Sequence, residues 1–441
     1  MLVAVILTFI IGYLVIVFEH PLRLDKTVPA LLMGALCWAF VSLGHMDVMN
    51  SNHEVGEMDN VLLHHIGKVA EILIFLIGAM TIVELIDLHK GFAVITNRIK
   101  TTSKFKMLVL VCILAFFLSA TLDNLAATIV LVSLLRRLVP EKKERIWFVG
   151  MAVIGANAGG AWSPIGDVTT TMLWIGDKVT TTGLVSHLVL PSIVCLAIPV
   201  AVAYFLPAFK GTITLAAQDL EKGMKEEKIL GSKRMLAFGL GGLVFVPIFK
   251  TITHLPPYVG MMLALGVVWL VSEYIHPQED FERKEKYSAH NALSRIEMSS
   301  ILFFLGILVA VSALESVAIL DASGHQVGLL SYLAGLLDAA VPNQNLVVML
   351  LGVLSAIIDN VPLVAASMGM YTFETDNFMW HFIAYSAGTG GSMLIIGSAA
   401  GVAAMGMEKI DFIWYLKNIS WLAALGFIGG ALTFIAMHAI M

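Results

Sequence analysis

Charge is scarce in this chain of 441 residues: 13% of the residues are charged, whereas 58% are hydrophobic. Water-soluble domains carry about 25% charged residues, so the composition excludes a soluble enzyme of this length. It also excludes a disordered chain, which requires low hydrophobicity. Segments 2–18 and 184–209 lack Lys, Arg, Asp and Glu, and each can cross a hydrocarbon core of about 30 Å. We therefore expect an all-α polytopic membrane protein.

Cysteine is almost absent. Cys37, Cys112 and Cys195 lie far apart in apolar runs without nearby His, which predicts neither a disulfide framework nor a zinc-type site. The net charge of −5 offers no basic surface for nucleic acid. Segment 2–18 lacks a basic region before it and is followed by Arg23 and Lys26, which predicts a retained helix rather than a cleaved signal peptide.

Lys and Arg concentrate in the cytoplasmic loops of membrane proteins, and this bias identifies two unusual segments. Segment 107–135 has Lys and Arg on both sides, and segment 346–373 has neither residue on its flanks. Each therefore begins and ends on one side of the membrane. Both are too short for two full crossings, which need about 40 residues. We predict that each is a re-entrant hairpin, entering from the cytoplasm in the first case and from outside in the second.

With these hairpins set aside, the other apolar segments alternate and place both termini outside. The ten predicted spans are 2–18, 27–44, 61–88, 146–176, 184–209, 235–250, 257–275, 296–320, 379–407 and 413–437. Each half contains five spans and one hairpin, in opposite orientation. The sequence therefore predicts two inverted-topology repeats, 1–209 and 235–441, joined by a cytoplasmic linker at 210–234. Many secondary transporters have this design.

Short motifs repeat between the halves. Ser-Ala-Thr-Leu-Asp-Asn at 119–124 recurs as Ser-Ala-Ile-Ile-Asp-Asn at 355–360, near the middle of each hairpin. A glycine pair followed by a third glycine recurs with identical spacing at 159–166 and 390–397. Both glycine patterns lie inside spans longer than a straight crossing needs, so we predict broken helices there. The glycines either allow close helix packing or free backbone groups to coordinate an ion.

The tip aspartates Asp123 and Asp359 are costly in an apolar membrane unless a cation, a proton or several donors offset the charge. Carboxylate, amide, hydroxyl and backbone oxygens suit a hard cation such as Na⁺ or Li⁺, by analogy with divalent hard cations. Each Asp has an alternative role as a helix cap. Asp167 is likewise either a further ligand or an N-cap, and the second half has Ser398 in its place.

The expected site residues carry an oxygen at a tip or at a glycine break. Asp123, Asp167 and Asp359 are expected to couple to protons. The expected cation ligands are Ser119, Asp123, Asn124, Thr128, Asn157, Gly159, Ser163, Asp167, Ser355, Asp359, Asn360, Thr389, Gly390 and Ser392. Burial raises the pKa of a carboxyl group and a bound cation lowers it. A site that must hold either ion therefore exchanges one for the other by competition. No cofactor is expected beyond the transported ions.

Segments 121–128 and 155–170, Thr-Leu-Asp-Asn-Leu-Ala-Ala-Thr and Gly-Ala-Asn-Ala-Gly-Gly-Ala-Trp-Ser-Pro-Ile-Gly-Asp-Val-Thr-Thr, resemble those of NhaD-type Na⁺/H⁺ antiporters in the ion transporter superfamily. The resemblance covers most of the chain. It implies hairpins that meet broken helices at the site, homodimers and elevator-like alternating access. It also implies exchange of Na⁺ or Li⁺ for H⁺ across a bacterial inner membrane. Carboxylate-transporting relatives have Ser-Asn-Thr at the tips, and the Asp residues here would repel an anion.

Two other functions are compatible with parts of the sequence. The first is a permease for arsenite or another small solute on the same fold. The second is an intramembrane aspartyl protease in which Asp123 and Asp359 share a proton, although that reading leaves the glycine breaks unexplained. We expect a transporter and not an enzyme. Glu71 and Glu315 are further candidates for a proton path, and segments 91–103 and 324–341 are predicted to form interfacial helices.

Overall fold

The computed structural model describes residues 1–50, 54–96, 99, 101–213, 231–275, 287–320, 325–341 and 343–440. This described chain is almost entirely helical, as predicted for an all-α membrane protein. Its contacts divide it into two compact units. Unit 1 contains residues 1–76, 297–350 and 361–374, and unit 2 contains residues 77–296, 351–360 and 375–441.

The helices of the first half correspond to the predicted apolar segments. They are α1 (Leu2–Val17), α2 (Glu19–Leu22), α3 (Thr27–Leu43), α4 (Met58–Leu88), α5 (Ala93–Thr96), α6 (Lys104–Thr121), α7 (Asn124–Leu138), α8 (Lys142–Gly160), α9 (Val168–Ile175) and α10 (Thr181–Ala203). A 3₁₀ turn follows at Pro207–Phe209. The predicted interfacial helix 91–103 is represented by the four residues of α5, and part of that segment lies outside the described residues.

The second half continues the same pattern. Its helices are α11 (Ser232–Thr253), α12 (Pro257–Ile275), α13 (Ala289–Arg295), α14 (Met298–Ser316), α15 (Leu329–Ala340), α16 (Gln344–Leu354), α17 (Asn360–Met370), α18 (Phe378–Gly390), α19 (Ala399–Glu408), α20 (Phe412–Asn418) and α21 (Ser420–Ile440). Helix α15 lies within the predicted interfacial segment 324–341. Most of the predicted linker, residues 214–230, lies outside the described part of the chain.

Long apolar helices account for most of the described chain. Seven of the described helices, α4, α6, α10, α11, α12, α14 and α21, have at least 18 residues and are apolar enough to cross a membrane. Helices α1, α3 and α17 are apolar but shorter. The composition and the helices together establish a multi-pass membrane protein. The number of crossings, their orientation and the inverted relation of the two halves stay predictions.

Both glycine motifs interrupt a helix, as their sequence predicts. Helix α8 ends at Gly160 and α9 begins at Val168. Helix α18 ends at Gly390, a 3₁₀ turn covers Gly391–Met393, and α19 begins at Ala399. Because the two motifs have the same spacing, the resumed helices α9 and α19 begin at equivalent positions after their glycine pairs.

Each predicted hairpin contains two helices joined at its Asp-Asn sequence. Helices α6 and α7 have 18 and 15 residues and pack against each other. Leu122 and Asp123 lie between them. Helices α16 and α17 have 11 residues each, and Asp359 immediately precedes the second. Residues 119–121 end α6 and residues 355–359 follow α16, whereas Asn124 and Asn360 are the first residues of α7 and α17.

Unit 1 packs α3 against α14 through small residues. A side chain added at Gly34 would meet the carbonyl of Gly306 at 2.7 Å, and one added at Gly306 would meet the backbone of Ala30 at 2.5 Å. In lipid the hydrophobic effect does not draw apolar helices together, so the van der Waals contacts of such close packing stabilise the pair instead. The Trp38 indole donates to the Val309 carbonyl at 3.1 Å. Unit 1 also holds two short antiparallel pairs, β1 (Val48–Met49) with β2 (Val55–Gly56) and β3 (Ala318–Leu320) with β4 (Gln326–Gly328).

Unit 2 contains the broken helices, the first hairpin and the tip of the second. Helix α8 is buried over most of its length and packs on α6, α7, α10, α18 and α19. Helix α10 packs along α21, where the Tyr385 hydroxyl of α18 donates to the Phe427 carbonyl at 2.8 Å. Unit 2 therefore brings both glycine breaks and both Asp-Asn sequences into one body.

Candidate functional site

Asp167 is a buried carboxylate of unit 2. It is the N-cap of α9, and one carboxylate oxygen accepts hydrogen bonds from the Thr169 backbone N–H at 2.9 Å and the Thr169 hydroxyl at 2.7 Å. Only 1% of Asp167 is exposed. The sequence left a cap and a ligand as alternatives for this residue. The structure shows the cap, and the same carboxylate also faces the two hairpin tips.

Two tip asparagines donate to Asp167. The Asn124 amide lies 2.6 Å from one carboxylate oxygen, and the Asn360 amide lies 3.2 and 3.3 Å from the two oxygens. Both asparagines are 4% exposed. Each is the first residue of the helix that follows its tip. Equivalent residues of the two repeated motifs therefore meet at one carboxylate.

Asn157 extends this network to the second glycine break. Its side-chain oxygen accepts from the Asn124 amide at 3.1 Å. Its own amide donates to the hydroxyls of Ser392 and Ser398, each at 2.9 Å. Ser398 also caps α19 by accepting from the Gly401 backbone N–H at 3.1 Å. We call Asn124, Asn157, Asp167, Asn360, Ser392 and Ser398 the polar cluster.

Asp123 and Asp359 occupy the positions just before Asn124 and Asn360, and both are partly exposed. Asp123 caps α7: its carboxylate accepts from the Ala126 backbone N–H at 2.6 Å. Its backbone has φ 149° and ψ 168°, a region that is otherwise almost restricted to glycine and costs about 1–3 kcal/mol. The chain thus retains a side chain at a position where glycine would relieve strain.

Four predicted hydroxyl ligands bond to backbone carbonyls around the cluster. Ser119 donates to Gly166 at 3.4 Å, Ser163 to Ala120 at 2.5 Å, Ser355 to Ala387 at 2.7 Å and Thr389 to Tyr385 at 2.6 Å. The first three bonds tie the hairpin tips to the broken helices. The Thr389 bond lies within α18. The hydroxyl of Thr128, one turn after Asn124, is fully buried and has no hydrogen-bond partner in the described part of the chain.

Gly159 and Gly390 were predicted as ligands, and their surroundings show a packing role. A side chain at Gly159 would collide with the Phe116 carbonyl of α6, and one at Gly390 with the Gly352 carbonyl of α16. The equivalent glycines therefore let each hairpin approach its broken helix at backbone distance. Gly159 is the last but one residue of α8, and Gly390 is the last residue of α18. A role of their carbonyls as ligands stays a prediction.

Two residues at the site were not among the predicted ligands: Ser398 belongs to the polar cluster, and Thr169 donates to Asp167 beside it. Thr169 is the second residue of α9, and Ser398 stands one residue after Gly397 just as Asp167 follows Gly166. That identical spacing was the signal that could have identified Ser398. Within the described residues, no group of three or more His, Cys, Asp and Glu side chains could hold a metal ion. A site here would depend on amide, hydroxyl and carboxylate oxygens around one buried carboxylate.

Comparisons with known proteins agree with this architecture. A family model described as a citrate transporter, CitMHS, matches residues 13–388. The chain is 46% identical to sodium/proton antiporter 1 of Arabidopsis thaliana over 99% of its own length and 72% of the relative's. It is 28% identical to the Na⁺/H⁺ antiporter NhaD of Vibrio cholerae over 94% of this chain and 87% of the relative.

Its fold resembles that of the YdaH transporter of Alcanivorax borkumensis, with a TM-score of 0.60 at 13% identity. That likeness covers 94% of this chain and 98% of the solved chain. The relatives are named as transporters and not as enzymes. The chain belongs to the CitMHS transporter family and to the sodium/proton antiporters, in agreement with the resemblance of its motifs to the NhaD type.

Proposed function

We propose that this protein exchanges Na⁺ or Li⁺ for H⁺ by alternating access, and that the two ions compete for the polar cluster around Asp167. The observation that supports this most is a carboxylate that is 1% exposed and lies between amides of both hairpin tips. An ionised carboxylate buried away from water is costly. A proton or a monovalent cation removes that cost, so one of them accompanies the carboxylate whenever the site moves.

The tip asparagines suit both states of the carboxylate. Asn124 and Asn360 turn their NH₂ groups towards Asp167, which stabilises the empty, ionised form. A half-turn of either amide presents its oxygen instead. The same side chains then become ligands for a hard cation, together with the hydroxyls of Ser392 and Thr128. We propose that Asp123 and Asp359, at the partly exposed tips, lower the energy of an approaching cation.

Competition at one carboxylate gives the coupling. A cation favours the ionised form of the carboxyl group and a proton removes it, so each ion lowers the affinity for the other by the same factor. Net exchange follows if the loaded site faces either side while the empty, charged site does not. We propose Asp167 as the main proton carrier because it is the most buried of the three aspartates.

The family model is named for citrate, and the charges at the site argue against a carboxylate substrate here. Asp123, Asp167 and Asp359 would each repel a citrate-like anion at close range. At an effective dielectric near 20, two unit charges 4 Å apart interact by about 4 kcal/mol. No residue of the cluster is a cation that would offset this repulsion. This repulsion does not exclude arsenite, a small solute with little charge, so the transport assay includes arsenite.

The test uses purified protein in liposomes with an acid interior, reported by a pH-sensitive dye. Na⁺ or Li⁺ added outside should release the pH gradient in the wild type, whereas citrate and arsenite should have no effect. Asp167→Asn keeps the side-chain shape and should abolish the Na⁺ response. Glu144→Gln, which removes a carboxylate paired with Lys104 at 2.6 Å outside the cluster, is the matched control. Normal Na⁺/H⁺ exchange by Asp167→Asn would refute the role of this carboxylate.

The resemblance also implies a homodimer and elevator-like movement in a bacterial inner membrane. We propose the dimer as the working assembly, to be tested by light scattering of the purified protein. Sodium/proton antiporters of both bacteria and a plant are among the relatives. The bacterial inner membrane and the external position of both termini are proposals. Labelling of single cysteines near each end in intact cells tests the termini.

A further inference from the structure

An ion-pair network around one buried carboxylate lies at the end of α19 that is opposite its glycine break. Glu408 is the last residue of α19, and its side chain is 1% exposed. One carboxylate oxygen is 2.6 Å from the Arg136 Nε, and the other is 2.9 Å from the Arg145 Nε. Arg136 belongs to the last turn of α7 and Arg145 to the first turns of α8. A single carboxylate therefore joins three helices.

Each arginine also bonds to a helix end. Arg136 donates to the Met407 carbonyl in the last turn of α19. Arg145 donates to the carbonyls of Val139 and Pro140, just after α7, each at 2.9 Å. Cations at helix C-termini are favourable because those carbonyls lack partners within the helix. The network thus satisfies the open ends of α7 and α19 and locks them to each other.

The same two helices begin at the polar cluster. Helix α7 begins with Asn124, which contacts Asp167 and Asn157, and α19 begins after Ser398, which also contacts Asn157. The two helices pack against each other. A change in their relative position at the Glu408 end therefore moves Asn124 and Ser398 relative to Asn157.

Helix α19 is made mostly of small side chains. Its sequence is Ala-Ala-Gly-Val-Ala-Ala-Met-Gly-Met-Glu, so its small side chains bury little apolar area. Among the described residues, none has an atom within 4 Å of the position that a side chain at Gly406 would occupy. A short helix with few anchoring side chains depends more on its charged end than a long, large-residue helix does.

We propose that Glu408 is a positioning residue for ion transport, which holds the cluster ends of α7 and α19 in the geometry that binds the cation. This inference rests on the proposed Na⁺/H⁺ exchange. It assigns Glu408 no contact with either ion. Its effect passes through Asn124, Ser398 and their shared partner Asn157.

The test separates positioning from folding by the apparent KM for Na⁺ and by the maximal rate per folded transporter. In reconstituted protein, Glu408→Gln should raise the apparent KM by about tenfold, with a much smaller change in maximal rate. Glu408→Asp keeps the charge but shortens its reach, and it should give a smaller rise. Glu144→Gln removes a more exposed carboxylate from the first turn of α8 and should leave KM unchanged.

An unchanged KM in folded Glu408→Gln protein would overturn the inference, and so would an equal rise in Glu144→Gln. If both Glu408 variants yield no folded protein by size-exclusion chromatography, Glu408 serves folding alone and the inference is also overturned. The proposed function fails differently, because the wild type itself would then show no Na⁺-dependent proton flux.

Discussion

The two tip asparagines contact Asp167 unequally, and this predicts unequal effects of removing them. Asn124 donates at 2.6 Å and also satisfies the Asn157 side-chain oxygen, whereas Asn360 shares longer contacts of 3.2 and 3.3 Å between two oxygens. A hydrogen bond to a charged group contributes about 1.5–3 kcal/mol. Asn124→Ala should destabilise the ionised carboxylate by this amount, and Asn360→Ala by an amount near or below its lower limit.

The lost hydrogen bond stabilises only the ionised form of Asp167. Its removal can therefore shift the pH dependence of exchange in one direction only. One pH unit corresponds to 1.36 kcal/mol, so Asn124→Ala should move the pH of half-maximal exchange upward by about 1–2 units. The shift for Asn360→Ala should be smaller, below about 1 unit. The reason is that a higher pH is needed to remove the proton when the charged product has lost a donor.

The assay is dissipation of a pH gradient in liposomes from pH 6 to 9, at a fixed Na⁺ concentration near the wild-type KM. Glu144→Gln, outside the cluster, should keep the wild-type profile. A downward shift in Asn124→Ala would refute the reasoning. An equal or larger shift in Asn360→Ala would show that the distances do not rank the two contacts.

Three further results are expected. Gly390→Ala should lower stability by about 1–3 kcal/mol, because the added methyl group collides with the Gly352 carbonyl. Gly406→Ala should not lower stability, because no described residue lies within 4 Å of the added methyl group. Thermal unfolding of the purified protein measures both effects. Asp123→Gly should keep or raise thermal stability, because relief of about 1–3 kcal/mol of backbone strain exceeds a cap loss of a few tenths, while exchange falls. Ser398→Ala removes the cap of α19 and an acceptor of Asn157, so it should cost about 1 kcal/mol of stability and raise the apparent KM for Na⁺.

Hydropathy and glycine spacing were sufficient to predict the helices and their breaks. The breaks after Gly160 and Gly390 follow from local backbone preference, and lipid imposes helical structure on the apolar segments between them. The positions of the long apolar helices along the chain could therefore be predicted. The β-pairs Val48–Met49 with Val55–Gly56 were not, because two-residue strands leave no periodic pattern.

The centre of the site could not be predicted, because sequence spacing does not give the direction of side chains at a helix start. Asp123 is an N-cap, so its carboxylate turns back to the Ala126 backbone N–H. Asn124, the next residue, points instead across to Asp167. A shift of one position along the chain therefore decides which polar side chain enters the cluster. Glu408 was missed for a related reason: a single carboxylate at a helix end looks like a solvated charge until two arginines are seen to bury it.

The residues that cap the helices determine whether the net charge at the site is positive or negative. Helices α7, α9 and α19 all begin at the polar cluster, with Asp123, Asp167 and Ser398 as their N-caps. Each helix N-terminus contributes about half a positive charge, so serine at all three would leave a positive site that attracts anions. Aspartate caps a helix as well as serine does but adds a full negative charge. Helix α17 also begins at the cluster, directly after Asp359. Three aspartates exceed the roughly two positive charges of the four helix ends, so the same arrangement of helices favours a cation.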